Sequence, residues 1–261
     1  MPDNSNIKDF NKQIPDKETA SFGFQQVLVK EKAHLVQRHF DSIAAKYDFM
    51  NTLLSFGLHY LWKRAAVKMM KLQPGSRVID VCGGTADLAI LAARYVGPEG
   101  RVMVYDFNRA MMEAGKEKVH TALLDARIKY IQGDAEQISF PDGQFDAAMV
   151  GFGIRNLTHM EKGFAEMYRV LKPGGTLMCL EFSRPANPLF RSLYDTYSFY
   201  IMPILGKIFT GSRTAYTYLP ESIRLFPLPD ELSAILRNIG FSTVIWRRLT
   251  NGIAVVHVGV K

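Results

Sequence analysis

The sequence predicts an α/β fold: a doubly wound, mostly parallel, seven-stranded sheet with helices on both faces. Three observations carry this. From residue 77 onward, short apolar runs alternate with amphipathic stretches of helical length, the pattern of a parallel sheet with crossover helices. The segment 78–88 passes from an apolar strand through Asp80-Val81-Cys82-Gly83-Gly84-Thr85 straight into a helix with Leu88, Leu91 and Ala92 on one face. The chain ends on two strand patterns, 241–247 and 252–260, joined around Asn251-Gly252. With 261 residues, 48% of them hydrophobic, there is enough apolar surface for a full core.

Each element has its own signal. Residues 1–22 are polar and read as a flexible tail, and 23–261 as a single domain. Within that domain, 23–73 form N-terminal helices and 183–227 a helical cap insertion. A helix over 26–47 places Val29, Ala33, Val36, Phe40, Ile43 and Ala44 on one side. A break follows at 48–57, then a helix over 59–72 that Gln73-Pro74-Gly75 ends. Strands are expected at 77–81, 101–106, 127–132, 145–151 and 174–182, with helices at 86–95, 109–123 and 160–171 between them. The stretch 183–227 breaks the rhythm with Tyr194, Tyr197, Tyr200, Ile204 and Ile208, and Pro203 interrupts a run too short to span a bilayer. A helix from Pro229 to 238 precedes the last two strands.

Composition narrows the function classes. The net charge of +7 admits an anionic partner, but no run of four basic residues exists, which argues against nucleic acid. Two cysteines, Cys82 and Cys179, read as small buried residues in a reducing compartment, and no metal-ligand spacing appears. The N-terminus lacks the pattern of a secretory or mitochondrial presequence, so a cytoplasmic protein is expected.

The carboxyl edge of the sheet carries the chemistry. Asp80, Asp106 and Asp134 each follow a strand, and Gly151 ends another. Asp106 is placed to accept hydrogen bonds from two ribose hydroxyls, and Asp134 lies near an adenine amine. The turn Cys82-Gly83-Gly84-Thr85-Ala86-Asp87 lacks the third glycine of a nicotinamide fingerprint, and Asp87 would repel a pyrophosphate. S-adenosylmethionine (SAM) has a sulfonium and no phosphate, so acids in this loop suit it. The fold expected is therefore a Rossmann-like class I SAM methyltransferase, with Asp80, Gly83 and Gly84 lining the cofactor. Arg155 and Asn156 follow the strand at 145–151 and face the place of the acceptor. Arg155 could stabilise a developing phenolate, and His59 has the ordinary pKa of a general base.

Two long segments make a family resemblance specific. The segment 47–62, Tyr-Asp-Phe-Met-Asn-Thr-Leu-Leu-Ser-Phe-Gly-Leu-His-Tyr-Leu-Trp, resembles the N-terminal signature of the ubiquinone/menaquinone biosynthesis C-methyltransferases. The segment 169–183, Arg-Val-Leu-Lys-Pro-Gly-Gly-Thr-Leu-Met-Cys-Leu-Glu-Phe-Ser, resembles their second signature, and Gly151-Phe152-Gly153-Ile154-Arg155-Asn156-Leu157 a third stretch. The resemblance implies methyl transfer from SAM to a ring carbon of a polyprenylated hydroquinone. It places Thr85, Asp106, Asp134, Ala135 and Gly151 against SAM. Tyr47, Asp48 and Asn51 would close over the acceptor, and the cap with Tyr197 would line a channel for the prenyl tail. The family's loop reads Ala-Gly-Gly-Thr-Gly-Asp, and this chain has Cys82 and Ala86 at its first Ala and last Gly. Ala86 is expected to be tolerated if its φ is already helical. A homodimer and peripheral contact with the inner face of the cell membrane stay open.

Two rivals are weaker. An RNA or protein amine methyltransferase would carry Asn/Asp-Pro-Pro-aromatic where Gly153-Ile154-Arg155-Asn156 stands, and a cytosine C5 enzyme needs a nucleophilic cysteine that neither Cys82 nor Cys179 provides. A non-catalytic SAM- or lipid-binding scaffold would be suggested by a ruined glycine loop, and this loop is mostly intact.

Overall fold

The computed structural model describes residues 18–261. A short hairpin, β1 (Thr19–Phe22) and β2 (Gln25–Leu28), leads into α1 (Val29–Ile43), α2 (Tyr47–Leu54) and α3 (Leu58–Met69). Strand and helix then alternate: β3 (Arg77–Val81), α4 (Asp87–Val96), β4 (Arg101–Asp106), α5 (Arg109–Thr121), β5 (Ile128–Gln132), β6 (Phe145–Gly151), α6 (Met160–Val170) and β7 (Leu171–Phe182). The cap follows as α7 (Pro188–Thr196), a π-helical turn (Tyr197–Ile201), α8 (Met202–Thr210) and α9 (Arg213–Leu225). The chain closes with α10 (Pro229–Ile239), β8 (Thr243–Leu249) and β9 (Ala254–Val260).

The main sheet runs β5-β4-β3-β6-β7-β9-β8, parallel except for β9, which is antiparallel to both neighbours. Its central strands are buried on both faces, as their unbroken apolar character requires; Val78, Ile79, Val81, Ala148 and Val150 are inaccessible to solvent. Trp62, Ala66 and Val67 of α3 pack with α4 and α5 on one face. Phe164, Met167 and Val170 of α6 pack with Leu232 and Leu236 of α10 on the other. The strand order reverses between β3 and β4 on one side and β6 on the other, and ligands of such sheets bind at that point, beyond the strand ends. Asp80, Asp106 and Gly151 all lie there.

Four expectations are corrected. The N-terminal segment, expected to be a tail to residue 22 and a helix from 26, holds the hairpin β1–β2; the expected tail at 1–17 lies outside the described residues. Gly23, at φ +57°, makes the turn, and Phe22 stacks on Tyr218 with ring centroids 4.3 Å apart. Tertiary pairing to α9 overrides local preference here. Second, the expected break at 48–57 is mostly helix α2. Only Ser55–Gly57 breaks it, with Gly57 at φ +74°. Third, β7 begins at Leu171, and the irregular register at Pro173-Gly174-Gly175 takes up the turn. Fourth, the last strands start later, at 243 and 254, because Thr250–Gly252 form a tight turn with three positive φ angles.

Candidate active site

Two cavities meet above the carboxyl edge. The first, of about 360 Å³, is floored by the glycine loop and the ends of β3, β4 and β6, and roofed by Val29, Ala33, Val36 and Phe40 of α1. The apolar stripe of α1 therefore closes a cavity rather than joining the sheet core. The second, of about 320 Å³, lies between α2, α3 and the cap and is lined mainly by apolar side chains. Phe40, Tyr47, Lys63 and Phe152 line both and form the wall between them.

The first cavity is rich in acids. Asp80 is fully buried, and neither of its carboxylate oxygens has a hydrogen-bond partner. Burial pushes its pKa well above the usual carboxylate range, against a pull from the Ala89 N–H, which lies near but outside good hydrogen-bond geometry. A buried carboxylate with no partner is costly, so the free group is held protonated, and a cation brought beside it would favour the charged form. Asp106 is held differently: its Oδ2 accepts from the Gly84 N–H and its Oδ1 from the Asn108 N–H, each at 2.8 Å. Burial raises its pKa to about 6 against the pull of these amides. Asp134 lines the cavity beside Glu136, whose N–H it accepts at 2.8 Å. Gly83, Gly84, Thr85 and Gly151 line it too. A Cβ on Gly151 would lie 2.5 Å from Leu88 Cδ1, so a larger residue there would push that side chain aside. The side chain of Ala135 packs into the core with Ile138 and Phe145 and is absent from the cavity lining.

The loop itself is strained. Cys82 and Ala86 have φ of +54° and +64°, and Phe152, across the cavity at the end of β6, has +60°. Ala86 is thus not helical, contrary to expectation: it is the left-handed residue before α4, where glycine would be relaxed. Cys82 lines the cavity, and burial pushes its thiol pKa up, so it is a filler rather than a nucleophile.

An ion-pair network fastens the N-terminal helices to this loop. Lys63 of α3 donates to Asp87 at 2.6 Å, and Lys118 of α5 to Asp87 at 2.5 Å and to Asp48 of α2 at 2.7 Å. The Thr85 hydroxyl donates to the other oxygen of Asp48 at 2.8 Å. Burial works against the charge of Asp87, yet the two lysines hold its pKa down at about 2. Asp48 lines neither cavity; its carboxylate ties α2 to the glycine loop.

The second cavity gathers Tyr47, Asn51, His59, Arg155 and Tyr197. Arg155 is buried and ion-paired with Glu181, Nη1 lying 2.9 Å from Oε1. Nη1 also donates to the Phe152 carbonyl, and Nε to Ser222 Oγ at 3.3 Å. Nη2 is left without a partner among the described residues. Although burial works against it, Glu181 keeps the guanidinium pKa raised. His59 donates or accepts at Nε2 with Thr52 at 3.2 Å, and its Nδ1 has no partner. Burial, with Lys63 nearby, lowers its pKa to about 4, so it is neutral and a weak base. Asn156 faces the first cavity and is committed to structure: Oδ1 accepts from the Tyr218 hydroxyl at 2.9 Å and Nδ2 donates to the Gly153 carbonyl. Tyr197 donates its hydroxyl to the Leu54 carbonyl at 3.0 Å.

Sequence reasoning missed Lys63, Lys118, Glu181 and His39, which lines the second cavity and whose pKa burial and Arg155 lower to about 4. Glu181 carries the same signal that singled out Asp80 and Asp106, an acid ending an apolar strand.

The family model of the "ubiE/COQ5 methyltransferase family" matches residues 25–261. The chain belongs to this family. It is 44% identical over 255 residues to the "Ubiquinone/menaquinone biosynthesis C-methyltransferase UbiE" of Ectopseudomonas mendocina, covering 98% of this chain and all of that one. The protein of the same description from Pseudomonas fluorescens strain SBW25 is 44% identical over 243 residues, covering 93% of this chain and 95% of that one. Among solved structures, the fold is similar to a SAM-dependent methyltransferase from Aquifex aeolicus (TM-score 0.55, 21% identity, 76% of this chain and 88% of that one). It is also similar to the [4+2]-cyclase SpnF (TM-score 0.63, 16% identity, 87% and 94%). These likenesses bear on the fold alone.

Proposed function

We propose that this family member is a SAM-dependent C-methyltransferase acting on the ring of a polyprenylated hydroquinone, in menaquinone or ubiquinone biosynthesis. The observation that carries the reading is the pair of adjoining cavities: one acidic and floored by a glycine loop, the other apolar, sharing a wall at Tyr47 and Phe152. The first suits SAM. The orphaned Asp80 carboxylate answers its ammonium, and Asp106 its ribose hydroxyls, with Asp134 near the adenine. SAM supplies an electrophilic methyl on a cationic sulfur.

The second cavity suits a quinol ring. Deprotonating the ring hydroxyl makes the adjacent carbon nucleophilic. The free Nη2 of Arg155 donates to the developing phenolate and lowers its cost of forming in an apolar surround. Arginine cannot take the proton itself, so a water beside it carries the proton away. His59 and His39, both neutral and weakly basic, are poorer acceptors. Glu181 and the Phe152 carbonyl fix Arg155 on the side of the cavity that faces the shared wall. The ring carbon and the methyl have to meet in line where the two cavities join beside Tyr47 and Phe152, and their alignment there supplies much of the rate. A polyprenylated acceptor also implies peripheral contact with the inner face of the membrane.

The test offers methyl-labelled SAM with reduced demethylmenaquinone and with the methoxy-polyprenyl-benzoquinol, side by side. Label on a ring carbon of either is the expected result, and their ratio assigns the pathway. SAM binding with transfer to neither would overturn the reading in favour of a scaffold.

A further inference from the structure

The cap presents an apolar stripe to solvent. Pro188–Thr210 run as one rod through the π-helical turn, and Leu189, Leu193, Tyr200, Ile201, Ile204 and Ile208 fall on its outer side. Leu189 is 74% exposed, Tyr200 71% and Ile208 67%. The inner side of the same rod is already satisfied: Ser198, Met202, Pro203 and Gly206 are buried against the domain. A helix facing its own domain needs one apolar face, and this one has two.

Two further observations say what the outer face meets. It is continuous with the mouth of the second cavity. Leu193 belongs to both, and Phe56, which lines that cavity and is 79% exposed, lies 6.0 Å from the ring of Tyr197. Phe49 of α2, exposed and 5.7 Å from Phe209, extends the face past the end of α8. The face is also flanked by positive charge. Residues 183–227 hold five basic and two acidic side chains. Both acids are engaged within the fold, Asp195 with Arg224 and Glu221 with the Phe24 N–H. Arg191, Lys207 and Arg213 of the cap are exposed, as is Lys46 on the turn before α2, whose Nζ donates to the Phe209 carbonyl at 2.7 Å at the end of α8; Arg191 Nε donates to the Pro185 carbonyl at 2.9 Å.

We infer that the outer face of α7–α8 is the surface by which the protein lies on an anionic lipid bilayer, with the mouth of the second cavity opened to the acyl region. This rests on the quinol reading above, since a polyprenyl chain resides in the bilayer and reaches a protein cavity with least exposure to water from there. The stripe supplies apolar burial and the flanking cations supply attraction to anionic headgroups. Among the described residues no helix is long and apolar enough to cross a membrane, so the contact is with the interface.

The experiment is flotation of the full chain with vesicles of phosphatidylcholine, with and without phosphatidylglycerol. It compares wild type, the double variant Ile204→Glu with Ile208→Glu, and Leu123→Glu. Leu123 is 85% exposed and lies outside the cap, so it controls for any loss of surface apolarity. Wild type and Leu123→Glu are expected to float with the anionic vesicles and to be released by salt. The double variant is expected to partition about a hundredfold less. On a short-chain quinol in solution all three should turn over alike, while the double variant loses turnover on a long-chain quinol held in vesicles. Failure of wild type to float, or equal flotation of the double variant, overturns the inference. So does a wild-type dimer in sedimentation that the double variant dissociates, which would make the face a contact between copies. If no quinol is methylated while the flotation results stand, the catalytic reading fails and the surface survives.

Discussion

Replacing Asp80 by Asn separates what the buried carboxylate does for the fold from what it does for the cofactor. The carboxylate is fully buried with both oxygens unpaired, so in the free protein it is a liability. Its folded pKa lies well above the unfolded value near 3.8, so the folded state holds the proton more tightly. Stability from this group is present below about pH 4 and is lost as pH rises through the folded pKa. Once it ionises, an unsatisfied buried charged group costs about 2 kcal/mol or more. An amide of the same shape carries no charge but leaves its own N–H and C=O groups unpaired, so the free variant should match wild type where the carboxyl is protonated and exceed it by up to about 2 kcal/mol, or about 4–8 °C in Tm, as pH rises and the wild-type carboxyl ionises. SAM binding should move the other way. A charge-assisted hydrogen bond to its ammonium is worth about 2 kcal/mol, so its Kd should rise about thirtyfold. Thermal melts from pH 5 to 8, with and without SAM, and calorimetric titration read both effects. A lower Tm for the free variant, or a Kd within about threefold of wild type, would refute the reasoning.

Four other outcomes follow from the same geometry. Arg155→Ala should cut turnover by about a hundredfold with SAM affinity nearly unchanged; steady-state rates beside calorimetry check this, and an inactive His59→Ala with an active Arg155→Ala would reverse their ranking. Glu181→Gln strips the buried guanidinium of its counter-charge and should cost about 3 kcal/mol or more in urea unfolding. The depressed pKa of Asp87, about 2 against 3.8, gives about 2 kcal/mol of stability present above pH 4 and lost as pH falls through 2; Asp87→Asn should flatten the unfolding free energy across that window. Ala86→Gly should stabilise by about 1 kcal/mol, because Ala86 sits at φ +64°; an unchanged or lower denaturation midpoint would argue against strain there.

The sheet was legible because its strands are unbroken apolar runs buried on both faces, and the acidic edge of the first cavity because Asp80 and Asp106 end two of them. What stayed hidden depends on pairing across distance. The hairpin at 19–28 is held by Phe22 against Tyr218, some two hundred residues away in sequence, and nothing local announces it. Lys63 reads as one more basic residue on a helix until α3 turns it inward onto Asp87. Asp48 was legible as part of a signature but not as a tie to Thr85 and Lys118, since that role exists only once three helices and a loop converge. Ala86 shows the reverse limit: its departure from glycine was visible, but the sign of φ there belongs to the folded turn.

On the proposed function, the two cavities that share Phe40, Tyr47, Lys63 and Phe152 would take the two reactants from different sides. Asp134 and His159 line the first cavity and not the second, and Phe190, Leu193 and Tyr194 of the cap line the second and not the first. A spent cofactor can be exchanged for a fresh one while an isoprenoid chain stays threaded on the far side, and a methylated ring can withdraw without disturbing the nucleoside. A lipid-bound acceptor could then be served by a nucleoside supply that never leaves the aqueous phase.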